Sequence, residues 1–167
     1  MKKKGFTLVE LIIVVTILGI LAAIVLPTFQ GNVAQARESS AKSDLMTMRN
    51  QIEMYKLQHN GTPPGYVNGA GAPIATMVLQ LIGTTAVTGH TSPSTIPSDP
   101  FLYGPYVKKI PPNPFNKLSD IAYVAEATLF SAAVDGTSSG WLYKKETAEI
   151  VMNWTGTDSE GVNFYDY

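Results

Sequence analysis

FTLVELIIVVTILGILAAIVLPTF, running from Phe6 to Phe29, decides how the rest of the chain is read. From Phe6 to Leu26 the one ionisable side chain is Glu10. As a helix rising about 1.5 Å per residue, that run is about 30 Å long, the thickness of a bilayer's hydrocarbon core. Lys2, Lys3 and Lys4 stand before it. Lysines at one end of an apolar span keep that end in the cytoplasm, so the pattern predicts a single-pass helix, N-terminus inside and C-terminus across. A secretory signal peptide would place small residues at a cleavage site after its apolar core. Here Ala22 and Ala23 lie within the core, and Leu26-Pro27 follows. The break in chemistry falls ahead of the span, at Gly5-Phe6.

A carboxylate at the depth of Glu10 costs about 3 kcal/mol on insertion scales and calls for a partner. Cleavage between Gly5 and Phe6 would expose a positive amine on Phe6. Within one helix the first turn keeps amine and carboxylate apart; between neighbouring helices offset along their axes the two can pair. Each ion is then desolvated together with its counter-ion, and loss of either strands the other. On this reading Phe6 and Glu10 set the register of lateral assembly.

Past the span, Pro27 removes a backbone donor and favours a helix kink. Helical periodicity then resumes, with Ala34, Ala41, Met48 and Tyr55 seven residues apart and Leu45 and Ile52 between them. Such a stripe suits packing on a small sheet. Coiled-coil dimerisation is the rival use, over about three heptads. The opposite face carries Arg37, Glu38, Lys42, Arg49 and Glu53, with Glu38 and Lys42 at a supportive i,i+4 spacing. The helix is expected to stop near His59-Asn60-Gly61, ahead of Pro63-Pro64.

Ten of the eleven prolines lie between Gly61 and Pro114, which reads as a long connecting region. Inside it, Ile74, Met77, Val78, Leu81 and Ile82 predict a helix after Pro73 that ends at Gly83. Thr84 to Ser98 reads as an exposed loop. GPYVKKIPPNPFN, Gly104 to Asn116, is expected to lay Tyr106, Ile110 and Phe115 against the head as a rigid strap; a recognition peptide is the alternative. Trp141-Leu142-Tyr143 and the alternation of Ile150, Met152 and Trp154 predict a β-hairpin whose aromatics cover the helix stripe. A turn over Thr155–Gly161 and an aromatic tail, Asn163 to Tyr167, follow.

The 167 residues suffice for one modest domain plus an anchor. A net charge of −1 gives no electrostatic footprint for nucleic acid. With no cysteine there is no disulfide, thiol nucleophile or zinc-thiolate site. His59 and His90 are far apart and read as surface or loop residues. The head has no GxSxG, HExxH or phosphate-binding glycine loop, so no catalytic residues are assigned and the chain is not expected to be an enzyme. A monomeric membrane-tethered binding module explains the anchor but neither Glu10 nor the Gly5-Phe6 junction.

KKKG-FTLVE followed by a long apolar run resembles the class III signal sequence of bacterial type IV pilins and type II secretion pseudopilins. The resemblance implies that a membrane prepilin peptidase cuts after Gly5 and methylates Phe6, and that Glu10 is the assembly glutamate. It also implies that Pro27 lies where such helices loosen. GPYVKKIPPNPF resembles the strap of the major pseudopilins, and Phe130-Ser131-Ala132-Ala133-Val134-Asp135-Gly136 resembles their F-S-x-G-A-D-G run. Those proteins bind calcium in the loop after that run. Asp135 matches the first ligand position and the Ala132 carbonyl is available, yet Trp141, Leu142 and Tyr143 bring no acid. Calcium needs six to eight oxygens with enough carboxylates to balance its charge. Asp158, Glu160 and Asp166 are a conceivable substitute; otherwise Asp135-Gly136 makes a turn, and no cofactor is expected.

The expected fold class is α+β and pilin-like: a long N-terminal helix, its first half membrane-spanning, packed on a small antiparallel sheet with a long proline-rich connection. The expected division is a cytoplasmic leader 1–5, a span 6–29, an amphipathic second half 30–59 and a head 60–167. Within the head, 60–135 is connecting and 136–167 is the hairpin and tail. The expected function is a structural subunit of a helical filament, as the major pseudopilin of type II protein secretion or as a type IV pilin of a long surface pilus serving adhesion, motility or DNA uptake. The resemblance implies as partners further copies of itself, the prepilin peptidase, an inner-membrane assembly platform and minor pilins or pseudopilins. The chain would rest in the inner membrane before assembly, and in a periplasmic or extracellular filament afterwards.

Overall fold

The computed structural model describes residues 5–167, with the backbone alone at positions 26–30. In chain order the elements are α1 (Leu8–Gln58), β1 (Tyr66–Val67), β2 (Ala70–Gly71), α2 (Ile74–Ile82), β3 (Thr84–Thr85), β4 (Thr91–Ser92), β5 (Ile121–Tyr123), α3 (Phe130–Ala133), β6 (Trp141–Lys144) and β7 (Glu149–Met152). Two compact units divide at Arg37/Glu38. The first holds the apolar part of α1, which stays helical through position 27. The side chain of Pro27, with the kink expected there, and the leader Met1–Lys4 lie outside the described residues.

The second unit is the head. Its core joins the α1 stripe (Ala41, Leu45, Met48 and Ile52) to Trp141 and Tyr143 of β6 and Ile150 and Met152 of β7. The stripe is buried from Ala41 onward; Ala34, expected to belong to it, lies in the first unit and is exposed. β6 and β7 form the predicted antiparallel hairpin, with Trp141 opposite Met152 and Tyr143 opposite Ile150. Alternate residues point to opposite faces of a sheet, and the other face is covered too. Leu142 and Val151 pack there with Val124, against Phe130, Val134 and Tyr165. The hairpin is joined by a strand the sequence did not announce: β5 pairs parallel to β6, Ile121 with Trp141 and Tyr123 with Tyr143. The principal sheet is therefore mixed, and the other two are two-stranded and antiparallel.

α1 ends as the sequence predicts. Asn60 and Gly61 take positive φ values of 55° and 82°, and the Gly61 N–H returns to the Lys56 carbonyl at 2.8 Å, which closes the last turn. α2 occupies the predicted residues between Pro73 and Gly83. Thr84–Ser98, read above as an exposed loop, is exposed at Val87, Thr88 and His90 and from Pro93 onward, and covered elsewhere. Thr84 and Thr85 are buried and pair with Ser92 and Thr91. The polar look of this stretch misleads because its backbone is paired within the fold, Thr84 N–H to the Ser94 carbonyl and Thr85 N–H to that of Tyr103, and its Gly89 turn is held from inside by Gln80. That buried side chain accepts the Gly65 N–H at 2.6 Å and donates to the Tyr66 and Gly89 carbonyls, both at 2.8 Å.

The strap lies on the head as expected, with Ile110 buried and Tyr106 and Phe115 packed on the core. It is also hydrogen-bonded to three elements. The Tyr106 and Val107 N–H groups both reach the Leu81 carbonyl, the Tyr106 hydroxyl donates to Gln58, and the Trp141 indole donates to the Pro111 carbonyl. His59 departs from expectation. It is 1% exposed, stacked on Tyr55 at 3.7 Å between ring centroids, and its Nδ1–H donates to the Tyr55 carbonyl. His90 is exposed, with Nε2 3.1 Å from the Asn68 amide.

Candidate assembly and processing site

Gly5 and Phe6 precede the first helical turn. Nothing lies within 4 Å of where a Cβ on Gly5 would stand, and Phe6 is 85% exposed. The junction expected to be cut is thus open. Thr7 caps the helix. Its N–H and hydroxyl both donate to Glu10 Oε2, at 2.8 and 2.7 Å, and its Oγ1 lies 3.3 Å from the Glu10 N–H. This is a capping box, in which a threonine and a glutamate three residues on satisfy each other's backbone donors. The T-x-x-E signature at Thr7 to Glu10 could have revealed it; reading Glu10 as a charge alone passed over it. In the single chain, then, the Glu10 carboxylate is held by its own first turn.

Downstream, Leu8–Val25 has a mean hydropathy of 3.0, and none of it is buried within the chain. An apolar surface of that length needs lipid or neighbouring helices to cover it.

The charged face of α1 serves the head. Lys42 Nζ lies 2.8 Å from Glu38 and 2.9 Å from Asp158, whose side chain is 0% exposed. Asp158 Oδ1 also accepts the Glu160 and Val162 N–H groups, and its Oδ2 accepts the Tyr167 hydroxyl. The Tyr167 hydroxyl and the Lys42 ammonium hold the Asp158 carboxyl well below the usual carboxylate range. Arg49 donates to the Ile150 carbonyl at 3.1 Å and to that of Tyr167. The expected Glu38–Lys42 pair forms, and Lys42 and Arg49 of this face also clamp the C-terminal segment onto α1.

Asp135 does not present a calcium site. Its Oδ1 accepts the Thr137 and Ser138 N–H groups at 2.9 and 3.0 Å and the Asn153 amide at 2.8 Å. Those bonds, the Thr137 N–H first, push its carboxyl far below the usual range. Asp135-Gly136 makes a turn, with Gly136 at φ 74°. The substitute cluster is engaged elsewhere, Asp158 by Lys42 and Tyr167 and Asp166 by Asn163. Among the described residues no three His, Cys, Asp or Glu side chains gather as a metal would require. The donor set does not fit calcium.

The model of the prokaryotic N-terminal methylation motif matches residues 1–26. With that motif at the head of an exposed apolar helix and an α+β head behind it, the chain is a membrane-anchored, pilin-like subunit. It is 30% identical over 161 residues to type II secretion system core protein G of Aeromonas hydrophila, covering 94% of this chain and 96% of that one. To the core protein G of Vibrio cholerae serotype O1 it is 31% identical over 164 residues, covering 94% and 95%. The Pseudomonas aeruginosa protein of the same name is 32% identical over 144 residues, covering 83% and 89%. The chain belongs to the type II secretion system core protein G family, the major pseudopilins. No solved structure matches it significantly.

Proposed function

We infer that this chain is the major structural subunit of the pilus-like filament of a type II protein secretion system, made as a precursor and cut between Gly5 and Phe6. The observation that carries the reading is the apolar window Leu8–Val25, left wholly uncovered by its own chain in a protein similar along its length to core protein G. Such a helix rests in the membrane before assembly and against copies of itself afterwards. The lysines before it favour a cytoplasmic N-terminus and a head on the far side. The exposed Gly5-Phe6 junction suits a membrane peptidase, and the amine it would release suits methylation. Phe6 and Glu10 of neighbouring subunits would then pair and fix the register. An assembly platform in the inner membrane and minor pseudopilins complete the partners such a filament needs. Catalysis has no support from the head: the cleft of about 650 Å³ beside the C-terminal segment is lined by Arg49, Glu53, Thr147 and Glu149, and neither histidine reaches it.

The test uses cells carrying an epitope within the exposed residues 93–98. Short, envelope-confined fibres are expected, and long surface fibres would overturn the secretion assignment. In the same cells, Glu10→Gln should leave a subunit that begins at Phe6 by intact mass and sits in the membrane, with few fibres. Fibres in normal number would sink the charge-pairing role, and a subunit still starting at Met1 would move Glu10 to peptidase recognition.

A further inference from the structure

Three oxygens converge on one nitrogen in the loop after α3. Asn153 Nδ2 lies 2.8 Å from Asp135 Oδ1, 3.3 Å from Ser138 Oγ and 3.2 Å from Ser139 Oγ. A carboxylate and hydroxyls facing a common point form part of the donor set of a hard cation. Here the point is occupied by an amide NH2 from a residue that is 0% exposed.

The orientation of that amide is settled from its other side. Asn153 Oδ1 accepts the N–H groups of Asp135 and Gly136, both at 2.9 Å. Turned over, the amide would point its NH2 at two N–H donors and its oxygen at a carboxylate, replacing attractions by repulsions on both sides. The loop carbonyls are engaged in the same manner. Asn116 Nδ2 donates to the Gly136 and Ser139 carbonyls at 3.0 and 2.9 Å. Asn113 Nδ2 donates to those of Gly140 and Asn153 at 3.1 and 3.2 Å. Carbonyls able to complete a cation's shell are bound by uncharged nitrogen donors.

We infer that the Asn153 carboxamide holds the Asp135–Gly140 loop in the manner of a bound cation, so that this head is stable without calcium. The dependence on that amide can be put to the test by changing one group. Aspartate at 153 would keep an oxygen for the Asp135 and Gly136 N–H groups. Its second oxygen would face the Asp135 carboxylate, with two serine hydroxyls beside the pair, and that arrangement needs a cation.

The test is heat unfolding of the full chain in detergent micelles, followed by tryptophan fluorescence. Trp154 adjoins Asn153, and its ring lies 3.4 Å from the position a Cβ on Gly136 would take. The parent protein should unfold at the same temperature in EDTA and in millimolar calcium chloride, within about 1 °C, because a ligand that does not bind cannot stabilise. A rise of several degrees in calcium overturns the inference. Asn153→Ala should lower the midpoint equally in both buffers, and a variant as stable as the parent would likewise refute it. Asn153→Asp should unfold earlier than the parent in EDTA and recover in calcium; indifference to calcium counts against the cation-like role of the amide. Should the aspartate variant fail to fold, the comparison of the parent in the two buffers still decides.

Discussion

Protonating His59 would put a charge beneath the Tyr55 ring, in a site 1% exposed. Burial therefore pushes its pKa down, against the pull of the Tyr55 carbonyl. A group whose pKa is lower folded than unfolded binds fewer protons in the native state, so its contribution is complete above the unfolded value, about 6.5, and fades as pH falls below it. The unfolding temperature should fall between pH 7 and pH 5, and His59→Phe, which keeps a flat ring over Tyr55, should flatten that slope. An unchanged slope would assign it to other groups. Asp135 and Asp158, both depressed, act lower: their contribution is present above about pH 4 and lost as pH falls further. The burial of His59 was legible, since it continues the spacing of Met48, Ile52 and Tyr55, but a histidine beside a turn invites a surface reading. Asn153 gave no such signal, because its role depends on a loop 18 residues away in sequence.

At the scale of elements, Gln80 ties two hairpins to α2. Gln80→Leu should destabilise the head by about 1–3 kcal/mol, the cost of leaving the Gly65 N–H and two carbonyls unsatisfied. Amide exchange should quicken first at Tyr66–Val67 and Thr84–Thr85, and protection as strong as the parent's would show that the bonds carry little. Elements with strong local codes were readable: α2 lies between a proline and a glycine, and the β6–β7 hairpin alternates apolar residues. β5 was not. Three residues, Ile-Ala-Tyr, carry too little periodicity to announce a strand, and their parallel pairing is chosen by the β6 edge they meet. The same holds for β3 and β4, whose threonines look like loop chemistry and whose connecting turn is fixed by the Gln80 bond to the Gly89 carbonyl.

For the whole molecule, the division into anchor and head was visible in composition, because apolar mass concentrates before Phe29 and prolines after Gly61. The core that decides head stability begins at Ala41. A shortened chain starting at Ala34 keeps every buried stripe residue and loses the apolar span. It should be soluble and unfold in one cooperative transition by circular dichroism, as single domains of this size do. A molten product would mean that the apolar half of α1 contributes to the fold of the head.

The Thr7–Glu10 capping box bears on reversibility. A single subunit already has donors on its glutamate, so joining a filament would exchange one set of bonds on that carboxylate for another and leave it satisfied on both sides. On the proposed pairing, leaving the filament is the same exchange run backwards, and the cap re-forms. The carboxylate's side of the pairing would then be nearly neutral to the direction of growth, while the covering of the apolar helix and the shielding of the Phe6 amine decide whether the fibre lengthens or dissolves.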